Sequence, residues 1–261
     1  MAQRTEANGE RVLRDPKWVV ALFSTTEYAW IWLIVRIYMG WDWWNAGWHK
    51  VTSDAWMGGG AALKGSWERM IAIPDSGRPV VTYDFYRNAI ELMYDQGWWP
   101  WFAKLIVLGE LAVGLALLVG ALVGIAAIFG AFMNWNFAMG GLGAGTNAIM
   151  IFLAVGLLLA WKTAGWWGVD RWLLGRLGTP WQPGSFRDSP TLVPEGERPR
   201  MNPLEQWLRM IAGSAVALWA QWVMTGPLLV IVLLLCAAFV AVAGLGLFPL
   251  MRTEEARQSE A

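Results

Sequence analysis

Inside the long apolar runs of this chain stand Arg36, Glu110, Asn134 and Asn136. A charged side chain at the centre of a bilayer costs about 2.5 to 3.5 kcal/mol on insertion scales, so such residues face a bundle interior or a cavity. Helical rise sets their depth. Arg36 lies roughly 18 Å below Trp48, Glu110 about 13 to 14 Å below Trp101, and Asn134 roughly 9 Å below Gly140. The three can therefore stack as one polar column. Two compatible readings follow. In the first, Arg36 and Glu110 neutralise each other as an interhelical ion pair while Asn134 hydrogen-bonds a neighbouring helix. In the second, the column lines a pocket for a quinone head group or a small anion.

Beside this column lies "GWDWWNAGWHK", residues 40 to 50, with four tryptophans and the chain's only histidine. Trp41, Trp43, Trp44 and Trp48 close one apolar run, and Trp98, Trp99 and Trp101 open the next. An aromatic belt explains most of them, since indole keeps its ring in the acyl boundary and its N–H in water. Trp44 and Trp48 also offer a rim on which a flat ring can stack. His49 is a candidate proton carrier, and Lys50 a candidate contact for a bound head group. A solvated interfacial pair is the alternative for both.

One histidine and one cysteine are too few for a zinc site, an Fe–S cluster or paired axial haem ligands. No metal or haem is expected, so any electrons travel on an organic cofactor such as quinone or on a partner. Cys236, in "LLLCAAF", reads as a small buried hydrophobe. The 20 basic and 20 acidic residues cancel, which leaves no field to attract nucleic acid.

The elements that must position these residues are helices. Of 261 residues 56% are hydrophobic, and mean hydropathy is +0.39, a composition that points to membrane. Five stretches approach the roughly 20 apolar residues needed to cross a bilayer. They run from about Ser24 to Asn45, Trp101 to Gly120, Leu122 to Gly140, Ala148 to Trp167 and Pro227 to Phe248. Residues 202 to 224, with Asn202 as cap and Pro203 at the first helical position, predict a helix lying in the interface. The expected fold is all-α: an integral membrane four-helix bundle over 24–180, with an additional hydrophobic region at 202–249.

Positive residues set the orientation. Arg4, Arg11, Arg14 and Lys17 precede the first span, and Lys162, Arg171, Arg176, Arg187, Arg198 and Arg200 follow the fourth. Both flanks, 1–23 and the Pro-rich linker 181–201, therefore read as cytoplasmic, and the segment 46–100 as outside. The polar N-terminus has no signal-peptide pattern, so the first span is expected to remain as an anchor. Within the outer segment, "TYDFYRNAIELMYDQG" predicts an amphipathic helix, and 54 to 74 a weaker one broken by glycines. A polar tail occupies 250–261. "GGLGAGTN" lacks the strand and the Lys-Ser/Thr ending of a phosphate loop, and reads as a tight hairpin.

An arginine in the first span, then "WDWWNAGWHK", then "WFAKLIVLGELAVG" with its glutamate four residues before a glycine, then "GTN" and "LAWKTAGWWGVDRWLLGRLGTPW" together resemble the DoxX/DoxD family of bacterial membrane proteins. The resemblance covers about residues 25 to 181, and Arg36, Gly47, Lys50, Glu110 and Gly114 look like its recurring positions. It implies a four-helix bundle, multi-pass in the bacterial plasma membrane. It also implies a membrane subunit of a thiosulfate:quinone oxidoreductase or of a related redox pair, with a soluble or membrane partner protein. Arg36, Glu110 and His49 are then the candidate catalytic residues, and Trp44, Trp48, Lys50 and Asn134 the candidate quinone contacts. A non-catalytic anchor or assembly protein, a small-solute permease and a homo-oligomer stand as alternatives.

Overall fold

The computed structural model describes residues 15–177 and 203–245, and every regular element among them is a helix. The cap expected at Asn202, the linker 181–201 and the tail 250–261 lie outside the described residues. In order the helices are α1 (Lys17–Ser24), α2 (Ala29–Val51), α3 (Asp54–Met57), α4 (Ala61–Ile71), α5 (Asp84–Asp95), α6 (Trp99–Val119), α7 (Val123–Met139), α8 (Ala144–Leu159), α9 (Asp170–Leu177), α10 (Pro203–Val223) and α11 (Gly226–Gly244).

Length and apolarity together qualify one of them, α6, to cross a membrane, with a mean hydropathy of 2.2. A second candidate is the pair α1 and α2, bent by 54° at its break. Five such stretches were expected. For two of them the cause is local: turns at 120–122 and 140–143 cut α7 to 17 residues, and α8 ends at Leu159 rather than Trp167. At 1.5 Å per residue α7 is about 25 Å long.

The tightest packing is antiparallel, α2 against α6. Small residues let the two backbones meet, as in closely packed membrane helices. A Cβ on Gly114 would lie 2.5 Å from the Trp44 amide nitrogen, and one on Gly40 would lie 2.9 Å from that of Leu118. This register brings Gly47 to Leu111 and Arg36 to Gly120. The helices α7 and α8 close the bundle around Trp43, Leu117, Ala127, Met150 and Leu157. A second core, with Leu33, Ile37, Cys236 and Phe239, joins α2 to the hairpin of α10 and α11. A third, with Leu63, Trp67, Met70 and Ile90, seats α4 and α5 on the Trp99 end of α6.

The helix expected at 202–224 is α10, one arm of a hairpin with α11. α10 lies along α11, with Gly213 against Phe239 and Val240 and the Gln206 amide donating to the Gly244 carbonyl at 2.6 Å. Arg209 is buried, and its guanidinium donates to the Glu27 carbonyl at 2.8 Å and to the Glu205 carboxylate.

Candidate functional site

The register of α2 on α6 decides which charges meet. Lys50, near the end of α2, donates to both carboxylate oxygens of Glu110, at 2.6 and 2.7 Å. The Glu110 side chain is 1% exposed and that of Lys50 22%. The expected partner of Glu110, Arg36, is elsewhere. It sits beside Gly120, ten residues and about 15 Å further along α6, so the two do not pair and no single column exists. The depth estimate failed because it measured each helix from its own tryptophans and not from the contact register.

Arg36 instead belongs to a clamp at the α6–α7 turn. Its Nη2 donates to the Trp167 carbonyl at 2.7 Å, and a Cβ on either Gly120 or Gly168 would collide with the guanidinium. The backbone just after Gly168 closes both helix ends at once. Val169 and Asp170 donate their N–H groups to the Val119 and Gly120 carbonyls, at 3.1 and 2.8 Å. The Asp170 carboxylate accepts from the Leu122 and Val123 N–H groups, at 2.6 and 2.9 Å. A cation at the end of α6 and an anion at the start of α7 match the helix dipoles. Burial pushes the Asp170 carboxyl above its ordinary value, while the two N–H donors and Arg36 pull it back.

Lys50 opens onto a cavity of about 800 Å³ between α6 and α7, roofed by α3, α4 and α5. Phe102, Ile106, Gly109 and Val113 form one wall; Ile125, Phe129, Phe132 and Met133 form the other. Polar groups gather at the roofed end. The Tyr86 hydroxyl reaches the Asn136 carbonyl at 3.1 Å and its side-chain oxygen at 3.2 Å, and burial raises the pKa of Tyr86. Ser66 and Asn147 line the cavity nearby. Lys50 is the one charged residue in the lining, and its Nζ stands 5.2 Å from the centroid of Trp56 and 5.9 Å from that of Phe137.

Of the residues singled out in the sequence, Lys50 and Glu110 come together here. The others do not. Trp44 and Trp48 stack on each other at 5.9 Å, but Trp44 packs toward α10 and α11 and Trp48 is exposed, so neither rims the cavity. Trp56, Trp67 and Phe137 take that place. His49 is exposed and outside the lining. Asn134 is buried on the same face of α7 as Gly130, which meets Trp43, and lies off the cavity. Tyr86 was missed because α5 reads as a surface helix. The signal available was Tyr86 itself, next to the apolar positions Phe85, Ala89, Ile90 and Met93.

No family model, curated protein or solved structure is significantly similar to this chain.

Proposed function

We propose that this is a multi-pass membrane protein whose α6–α7 cavity binds a quinone: an uncharged polar ring at the Lys50 end and an apolar chain along the groove. On this reading α2, α6, α7 and α8 are the four-helix bundle, α10 and α11 add a hydrophobic hairpin, and the roof formed by α3 to α5 is outside the cell. Large exposed hydrophobics on these helices support a lipid environment, among them Phe129 and Phe132 on α7, Phe152 on α8 and Trp222 on α10. A water-exposed surface seldom carries such a belt.

The observation that carries the proposal is the Lys50–Glu110 pair at the head of an otherwise apolar cavity. Its volume lies within the range of small-molecule pockets, roughly 300 to 1,000 Å³, and few polar groups converge on one end of it. The pair also selects between the two ligands suggested by the sequence. Lysine and glutamate together carry no net charge, so an anion entering beside them would lose hydration without gaining a free cation. A neutral carbonyl ring avoids that cost. It can accept from the third N–H of Lys50, and it can stack on Trp56.

In this role the protein is the quinone-binding membrane subunit of an oxidoreductase. A partner protein delivers the electrons, and reduced sulfur compounds such as thiosulfate are the source implied by the resemblance to the DoxX/DoxD family. The test is a titration of the purified protein in detergent with a short-chain quinone analogue, read by quenching of its 21 tryptophans. Replacing Lys50 by Met together with Glu110 by Gln removes both charges and is expected to weaken binding at least tenfold. Unchanged affinity in a folded double variant would refute the site.

A further inference from the structure

We propose that the face of α2 carrying Tyr38, Asp42, Asn45 and His49 is the seam of a parallel two-fold dimer of this chain. The inference rests on the reading of α2 as a membrane-spanning helix.

All four side chains are exposed. Their spacing of four, three and four residues is that of the d and a positions of a helix-pairing seam. Trp48 is exposed beside the stripe, and the rest of α2 is occupied. Arg36, Trp43 and Gly47 are buried, Lys50 turns to Glu110, and Trp41 and Trp44 lean toward α10 and α11. The stripe runs over twelve residues, about 16 Å of helix, and so extends from the wet end well into the hydrocarbon. Even with the Lys50 charge near Asp42, an aspartate and an asparagine exposed at that depth are costly, and intramembrane polar residues normally face protein.

The chemistry of the stripe selects the partner. A two-fold interface sets each side chain against its own copy or near it, so each must complement itself. Phenol, amide and neutral imidazole each carry a donor and an acceptor, and two carboxyl groups can share one proton. Lysine and arginine, which only donate, are absent from the stripe. Parallel association also keeps the counterparts at equal depth, as two copies inserted with the same topology require. Trp219 of α10, 6.1 Å from the Tyr38 ring, backs the inner end of the seam. Polar contacts of this kind hold transmembrane helices together.

The test is oxidative cross-linking in isolated membranes of the full chain, in a Cys236→Ala background. Asn45→Cys is expected to shift most of the 29.1 kDa protein to a species of twice that mass. Phe152→Cys, on the lipid-facing side of α8 and 77% exposed, is expected to remain monomeric. Adding Asp42→Ala is expected to reduce the Asn45→Cys dimer severalfold. The dimer is overturned if Asn45→Cys stays monomeric in the membrane fraction, or if it forms an adduct only with a protein of different mass. Recovery of the chain in the soluble fraction would overturn the spanning reading of α2 and the seam with it, a result that fractionation separates from the other two.

Discussion

The two charges that α2 brings to α6 are held differently. At the Gly120 end Arg36 is enclosed by backbone: it binds the Trp167 carbonyl, lies against Gly120 and Gly168, and shares the turn with Asp170. Its surroundings are helix termini that need capping. Midway along α6 Lys50 pairs with Glu110, stands beside Trp56 and Phe137, and has a face open to a cavity of about 800 Å³. The same cost of burying a charge is offset in one place by the scaffold and in the other by a pair with a spare donor. A buried charge is therefore not in itself a sign of function. What distinguishes the two is unfilled space beside the charge.

That comparison can be broken experimentally. The largest effect is expected from Lys50→Met alone, which strands the Glu110 carboxylate at a cost of about 3 to 5 kcal/mol, while adding Glu110→Gln should restore most of the loss. Melting in detergent reads both, and a single variant as stable as the double would show that the pair is not coupled. Next, Asp170→Ala removes two hydrogen bonds to a charged group and the cap of α7. A loss of about 2 to 3 kcal/mol is expected, with quinone-analogue affinity unchanged in the folded fraction. Weakened binding there would erase the contrast between clamp and site.

A smaller effect is expected from Gly114→Ala, because the new Cβ would press on the Trp44 backbone. Overpacking of this kind costs about 1 to 3 kcal/mol and should loosen both ends of α6 alike. The smallest effect belongs to His49→Gln. Exposed and outside the cavity lining, it is expected to change stability by less than about 0.5 kcal/mol and the affinity for the analogue hardly at all. A marked loss of affinity would return the imidazole to the site.

Glu110 and Lys50 were legible before any coordinates, the first as a carboxylate in an apolar run and the second as the cation closing the tryptophan stretch. Their pairing was not, because the distance between helices depends on register and register depends on which backbones can touch. Gly40 and Gly114 set it, and a glycine in a sequence does not announce its neighbour. Tyr86 shows the complementary gap. Its helix was readable from the apolar spacing of α5, yet the periodicity gives a face and not the surface that face covers.

Composition and periodicity by themselves determined that the described residues are helical, where α5, α6, α7 and α10 begin and end, and which of their side chains are expensive to bury. Those properties are local: they depend on hydrogen bonds four residues apart and on the transfer cost of each side chain. Tertiary structure alone decided that Arg36 joins Gly120 and Asp170 while Lys50 joins Glu110, that Trp44 and Trp48 turn away from the cavity, and that α10 lies along α11. These are contacts between residues far apart in the chain. Close packing selects them through shapes that no single segment contains.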